Sequence, residues 1–409
     1  MRRTAGSEKL KRTIILFLIL SLMGIAAIAE LRRPVLWNAP RQPGALRWPR
    51  TLPLSVQSSA NAAFVGAAMQ KVADANPNAK PYYEAAFVVP EGTVPTNHGS
   101  SLVELDTGDV FLTWFAGSGE AANDVQIYSS RYQGKTRGYS PPRVVVHSGE
   151  RAQGAFWADK SIGNTVLFYD DAKILWLFYN AIPFPFGGWS TAVVNYKQSH
   201  DRGQTWSAAK RFVNVIGNLT RNTPIRVGSN RFLIPMYTEL FTHKGYVCRV
   251  EHVKGDIAAQ NCNSAIDAKG AIQPALVTTQ EGSILMLLRD RERNSVRRSW
   301  SYDHGQTWSP VEDLGLPNPD AAVALTSLDD GRILLVYNDS ADERTPLSVA
   351  VSTDGGRTFR KIRDLETSRE KFSYPAVIQT KDSLIHVSYS YNHKTIKHVR
   401  FNKRWMFAD

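Results

Sequence analysis

The stretches S-H-D-R-G-Q-T-W (Ser199–Trp206), S-Y-D-H-G-Q-T-W (Ser301–Trp308) and S-T-D-G-G-R-T-F (Ser352–Phe359) decide the fold of this 409-residue chain. Each places Ser, Asp, Gly, Thr and an aromatic at the same offsets. The last two begin about 50 residues apart and the first two about twice that, a period that marks a radial array of four-stranded blades. The chemistry of the stretch is local. Asp and Ser/Thr side chains bond nearby backbone N–H groups, Gly supplies a positive φ, and the Trp or Phe packs between neighbouring sheets.

Working outward, six segments share one plan: a polar opening, an apolar strand, a turn and a second apolar strand. They begin near His98, Gly163, Asn222, Gln273, Asp320 and Tyr374. Thr107-Gly108, Glu281-Gly282 and Asp330-Gly331 sit where a hairpin must reverse. The pattern predicts an all-β chain, a six-bladed β-propeller over 82–409. In that architecture the first strand of each blade lines the axis. Residues at its opening and at the end of the second strand therefore converge on one face.

The amino end reads differently. Arg2, Arg3, Lys9, Lys11 and Arg12 precede an uncharged apolar run from Thr13 to Ala29. That run is the short end of a bilayer span, and the leading basic residues keep its start cytoplasmic. Ala27-Ile28-Ala29 equally fits a small-x-small cleavage site. Residues 1–30 are thus expected to be a signal peptide or a membrane anchor helix, 31–81 an irregular Pro-rich linker, and the remainder extracytoplasmic, periplasmic or secreted. Cys248 and Cys262 are the two cysteines; in an oxidising compartment they pair across a hairpin, and otherwise they are two buried thiols. They lack the partners of a metal site, and no cofactor is expected. The net charge of +12 favours an anionic partner such as an acidic glycan or a membrane surface. Nucleic acid is excluded by the absence of any recognised binding signature.

The openings supply His98, Asn222, Gln273, Asp320 and Tyr374. The second-strand ends supply Glu120, Asn180, Glu239, Arg289, Asn338 and Arg344, with Asp124 just beyond the first unit. Cations, carboxylates, amides and aromatics on one concave face make a carbohydrate site. Trp189, in F-G-G-W-S, is either a platform for stacking a sugar ring or a packed loop aromatic.

The repeated boxes resemble the Asp-box of the sialidase superfamily. The opening H-G-S-S-L-V-E-L (His98–Leu105), the stretch D-V-Q-I-Y-S-S-R (Asp124–Arg131) and the closing S-Y-P-A-V-I-Q (Ser373–Gln379) are similar to those of sialidase-like BNR-repeat proteins. The resemblance covers roughly residues 82 to 402. It implies a glycan-handling propeller in which arginines grip a sugar carboxylate, a Tyr attacks and an Asp serves as acid/base. By that resemblance Arg289 and Arg344 are two of the arginines, Tyr374 the nucleophile and Asp124 the acid/base. Two positions depart from the pattern. His98 stands where the first arginine is expected, and Gln273 where a Glu would activate the tyrosine. Glutamine accepts no proton from a phenol, so Glu239 becomes the candidate for the missing base. The expected function is glycoside hydrolysis at a terminal acidic sugar, with substrate held by His98, Arg289, Arg344, Gln273, Asn338 and Trp189. The alternatives are a non-catalytic carbohydrate-binding propeller and a polysaccharide lyase.

Overall fold

The structure is a computed structural model that describes residues 80–408, apart from 135, 184–186, 266–268 and 293–294. The signal or anchor segment expected at 1–30, and nearly all of the linker expected at 31–81, lie outside the described residues. Among the described residues, no helix is long and apolar enough to cross a membrane.

Six antiparallel sheets follow one another along the chain. The innermost strands are Thr96–Glu104, Ser161–Tyr169, the broken pair Asn218–Thr220 and Ile225–Gly228, Ala271–Thr278, Ala324–Ser327 and Phe372–Gln379. These are the six openings read from the sequence. Inner and second strands carry near-continuous apolar runs such as V-F-L-T-W-F-A-G (Val110–Gly117), buried throughout because sheets cover both faces. Blade six is closed from the other end of the chain. Tyr83–Phe87 pairs antiparallel with Thr395–Phe401, from Tyr83 opposite Phe401 to Phe87 opposite Lys397. Five backbone positions thereby lock the first strand of the ring to its last.

The boxes bind blade to blade. In the second, Asp303 Oδ1 accepts from the N–H of Gln306 at 2.9 Å and of Thr307 at 2.8 Å, and Ser301 Oγ accepts from the Gly305 N–H at 2.8 Å. The Thr307 hydroxyl, followed by its N–H, holds the Asp303 carboxyl down to about 2. The box glycine is required twice over. Gly203, Gly305 and Gly356 have φ of 86°, 79° and 96°. A Cβ on each would also meet a side chain of the preceding blade: Phe111 at 2.5 Å, Leu233 at 2.6 Å and Leu285 at 2.4 Å. Trp206, Trp308 and Phe359 pack against those same apolar clusters. Cys248 and Cys262 form a disulfide between Lys244–Val253 and Asp256–Ala265, the outer hairpin of blade three.

Buried polar groups stitch the seam between blades one and six. His386 Nδ1 lies 3.1 Å from His398 Nε2, and His398 Nδ1 lies 2.8 Å from the Tyr139 hydroxyl. The Arg400 guanidinium sits 4.0 Å over the Tyr132 ring and pairs with Glu84 at 2.5 Å. Burial lowers His398 well below its ordinary value and lowers His386 to about 4, with Asp382 opposing the latter shift.

Two outcomes are expected. A histidine whose folded pKa is depressed binds its proton more readily when unfolded. Its stabilising contribution is therefore full above pH 6.5 and is lost as pH falls from 6.5 towards 4. For His386 the loss is on the order of 3 kcal/mol. Urea midpoints measured at pH 7, 5.5 and 4.5 should fall steeply, and less so in His386→Gln; a flat wild-type profile contradicts the assignment. Gly356→Ala should cost about 2–4 kcal/mol, combining a positive φ with a clash. Gly282→Ala, at φ 85° in open space, should cost only about 1 kcal/mol. Equal losses in the two variants, read from denaturant melts, would refute the blade-docking role.

Candidate active site

The inner strands do not run straight into the axis. In blades one, two, four and six the ladder slips between His98 and Ser101, Gly163 and Val166, Ile272 and Ala275, and Ser373 and Ala376. The residue inside each slip has positive φ: Gly99 59°, Asn164 45°, Gln273 51° and Tyr374 55°, with Asp320 at 57° ahead of the inner strand of blade five. A bulge of this kind re-aims a side chain, and a left-handed non-glycine residue costs of order 1–3 kcal/mol. Four non-glycine residues bear that cost at the mouth of the axis, and all four share one network.

Arg289 donates through Nε to Asp320 Oδ1 at 2.6 Å and through Nη1 to Gln273 Oε1 at 3.1 Å. A guanidinium only donates, so the Gln273 oxygen must face it and the Gln273 amide nitrogen must face away. That nitrogen donates to the hydroxyl oxygens of Tyr237 at 3.3 Å and Tyr374 at 3.4 Å, both at the long end of hydrogen bonding. Asn164 Nδ2 also donates to the Tyr237 hydroxyl, at 3.3 Å. Arg344 reaches the Asp320 carbonyl at 3.0 Å and Ser373 Oγ at 3.4 Å. His98 stands edge-on to the Tyr374 ring, with centroids 4.4 Å apart and Nδ1 2.8 Å from Ser390 Oγ.

Arg221 completes the cluster, and it comes from blade three. Its Nη2 donates across the axis to the carbonyl of Pro375 in blade six at 3.2 Å, and its guanidinium carbon lies 4.8 Å from the Tyr374 ring centroid. It is 2 % exposed. Three guanidiniums thus surround one phenol: Arg221, Arg289 and Arg344, the last 5.9 Å from the ring. Burial drives His98 well below its ordinary value, reinforced by His393 and the three arginines, so this imidazole is neutral at physiological pH. Burial likewise pushes Arg221 down to about 10, leaving it a cation there.

His98, Gln273, Arg289, Arg344 and Tyr374, all expected at the site, therefore meet. Trp189 packs its ring tip on Gly163, where a Cβ would approach to 2.6 Å, and the residue stays part-exposed. Glu239 pairs with Arg291 at 3.6 Å, and its charge reaches Tyr237 and Glu120. Asp124 is turned back on its own loop, accepting from the Ser118 N–H at 3.1 Å and Ser118 Oγ at 2.9 Å. Glu120, in that same loop, is the acid that feels Arg344 and Arg289. Desolvation raises its carboxyl above the usual range, against a hydrogen bond from Trp189 and the pull of the two arginines. Solvent at this exposed rim position limits the rise. Asn338 stands apart as a buried strut, its amide donating to the carbonyls of Pro346 at 3.2 Å and Phe372 at 3.1 Å.

Arg221, Tyr237 and Asn164 escaped the sequence reading. Arg221 sits one residue before the Asn222 opening, and a lone Arg in T-R-N-T-P carries no pattern of its own. A cavity of about 480 Å³ lies elsewhere, against the boxes of blades four and five, and contains none of the axial residues. Among the described residues, no cluster of His, Cys, Asp or Glu is arranged to hold a metal ion.

Removing Arg289 strands Asp320 and Gln273, so Arg289→Met should cost about 3–5 kcal/mol in urea unfolding. Asp320→Asn in the same background should recover part of that loss. Additive single losses would show that the pair is not coupled.

The sequence model of the BNR repeat-like domain matches residues 108–387. Among solved structures, the chain superposes on the Hadza microbial sialidase Hz136 with a TM-score of 0.66 at 15 % identity, covering 77 % of this chain and 67 % of that one. A protein of unknown function from Dyadobacter fermentans gives 0.66 at 13 % identity, covering 78 % and 98 %. The intramolecular trans-sialidase from Ruminococcus gnavus, in complex with oseltamivir carboxylate, gives 0.62 at 14 % identity, covering 76 % and 96 %. Identities this low show a shared fold. No curated protein matches the chain. The chain belongs to the BNR repeat-like family, and its fold is a sialidase-like six-bladed β-propeller.

Proposed function

We propose that the axial cup takes the carboxylate of a terminal acidic sugar and that the protein hydrolyses the glycosidic bond of that sugar. The observation that carries this reading is the convergence of Arg221, Arg289 and Arg344 on Tyr374. Among the described residues, only one carboxylate, Asp320, bonds an arginine of the trio. An excess of guanidinium on a concave face suits a planar anion. The likeness to an enzyme seen with oseltamivir carboxylate supports it.

The geometry favours a two-carboxylate route over attack by tyrosine. Gln273 gives a hydrogen bond to Tyr374 and takes none, so the phenol has no base there. Glu120 lies within reach of the Glu239 charge, and desolvation raises its carboxyl, the direction that suits a general acid. In this scheme Glu120 protonates the glycosidic oxygen as the anomeric C–O bond breaks. Glu239, paired with Arg291, takes a proton from the attacking water as the new C–O bond forms. Tyr374 donates its hydroxyl proton in a hydrogen bond to the sugar, and Asp124 holds the Glu120 loop.

The second reading is carbohydrate binding without turnover, favoured by the same Gln273 amide. We further propose an extracytoplasmic location, supported by the Cys248–Cys262 disulfide and by the basic and apolar residues at the amino end.

A panel of sialylated and uronic-acid-capped oligosaccharides distinguishes the readings. Hydrolysis with inversion, reduced at least 100-fold by Glu120→Gln and Glu239→Gln but only about tenfold by Tyr374→Phe, is the expected result. Retention with abolition by Tyr374→Phe would replace the scheme with covalent catalysis. Binding with no product from any substrate would leave the lectin reading.

A further inference from the structure

The cavity of about 480 Å³ outside the axis lies where the box of blade five docks on blade four. It is remote from the cup. Gln273 sits at the cup end of the inner strand Ala271–Thr278, whereas Glu281 and Ser283, which line the cavity, sit in the hairpin at its other end, roughly 20 Å away.

Two aromatics line this cavity, Trp300 and Tyr302. Trp300, in the third strand of blade four, is part-exposed, and its ring is backed by the neighbouring box: a Cβ on Gly356 would stand 3.2 Å from its Cη2. Its backbone N–H donates to Ser309 Oγ at 3.0 Å. Tyr302 is 78 % exposed. It is the second residue of its box, where the other two boxes carry His200 and Thr353, so the turn itself requires no aromatic there.

Four planar charged groups edge the same cavity as two ion pairs. Arg298 holds Glu312 through Nε at 3.1 Å and Nη2 at 2.9 Å, and its Nη1 donates to the Gly356 carbonyl at 3.3 Å. Arg357 faces Glu281 at 3.6 Å. Two guanidiniums and two carboxylates cancel, so the cavity offers no net charge to an ionic ligand. Among the described residues that line it, Pro310 has the one aliphatic side chain. The apolar anchor of a protein partner would find no Leu, Ile, Val, Met or Phe to pack against. An exposed aromatic surface rimmed by fixed polar groups does suit a sugar ring, which has an apolar C–H face and a hydroxyl edge.

We propose that this peripheral cavity binds a chain of neutral hexoses, stacked on Trp300 and Tyr302. The ring faces lie on the two aromatics, and the hydroxyls bond to the Arg298–Glu312 and Arg357–Glu281 pairs and to Ser283 and Ser309. The site is separate from the cup, carries no net charge where the cup is cationic, and stands whether or not the cup hydrolyses anything.

The test titrates the full chain calorimetrically with cellotetraose, laminaritetraose and maltotetraose. Saturable binding of at least one is expected, weakened by roughly tenfold or more in Tyr302→Ala. Because Tyr302 is largely exposed, that variant should keep the wild-type unfolding midpoint. Tyr374→Phe, altered only in the cup, should bind the same tetrasaccharide as wild type does. No binding of any of the three overturns the proposal. So does binding that survives Tyr302→Ala unchanged, or that Tyr374→Phe abolishes, since the sugar would then occupy the cup.

Discussion

Everything in this molecule depends on closing the ring. A propeller has no single core; each blade buries its faces against two neighbours, so an open ring would expose two sheets at once. The pairing of Tyr83–Phe87 with Thr395–Phe401 supplies the missing outer strand of blade six and removes that gap. The seam is reinforced by charge and aromatic contact, with Glu84 directly opposite Arg400 and Arg400 stacked on Tyr132 of blade one. The boxes do the equivalent work elsewhere. Each docks a glycine against the preceding blade so closely that no side chain fits between. Asparagines act at other seams: Asn180 binds Thr220, and Asn222 binds the Gln273 and Pro274 carbonyls.

The axial site is a product of that geometry. Arg221, Gln273, Asp320 and Tyr374 come from four different blades and meet only because the ring is closed and its inner strands point at one line. The bulges then turn side chains out of the sheets and into the opening, at a conformational cost that sheet pairing alone would not tolerate. Stability has been given up locally to gather polar groups, a pattern more usual in sites than in scaffolds.

Much of this was legible in the residues, and the reason is periodicity. Side chains that recur every blade, such as the Ser, Asp and Gly of the boxes or the polar residue opening each inner strand, announce themselves by repetition. His98, Gln273, Arg289, Arg344 and Tyr374 were found that way. Arg221 does not recur. Its meaning arises from reaching across the axis to Pro375, a contact that no local spacing encodes. Asp124 shows the converse: its motif fits an acid, yet its carboxylate is consumed by Ser118, while Glu120 four residues earlier faces the cations. Asn338, at the right end of a second strand, points inward to the carbonyls of Pro346 and Phe372. Position along a strand was readable; orientation at its tip was not.

The clasp has an implication for how the protein comes into being. The segment that finishes the last blade leaves the ribosome before any other strand of the ring, and its hydrogen-bonding mate emerges more than 300 residues later. Until then the nascent chain carries an unmatched edge and cannot complete its circle. Assembly is bound to be a late, long-range event, slow by comparison with local hairpin formation.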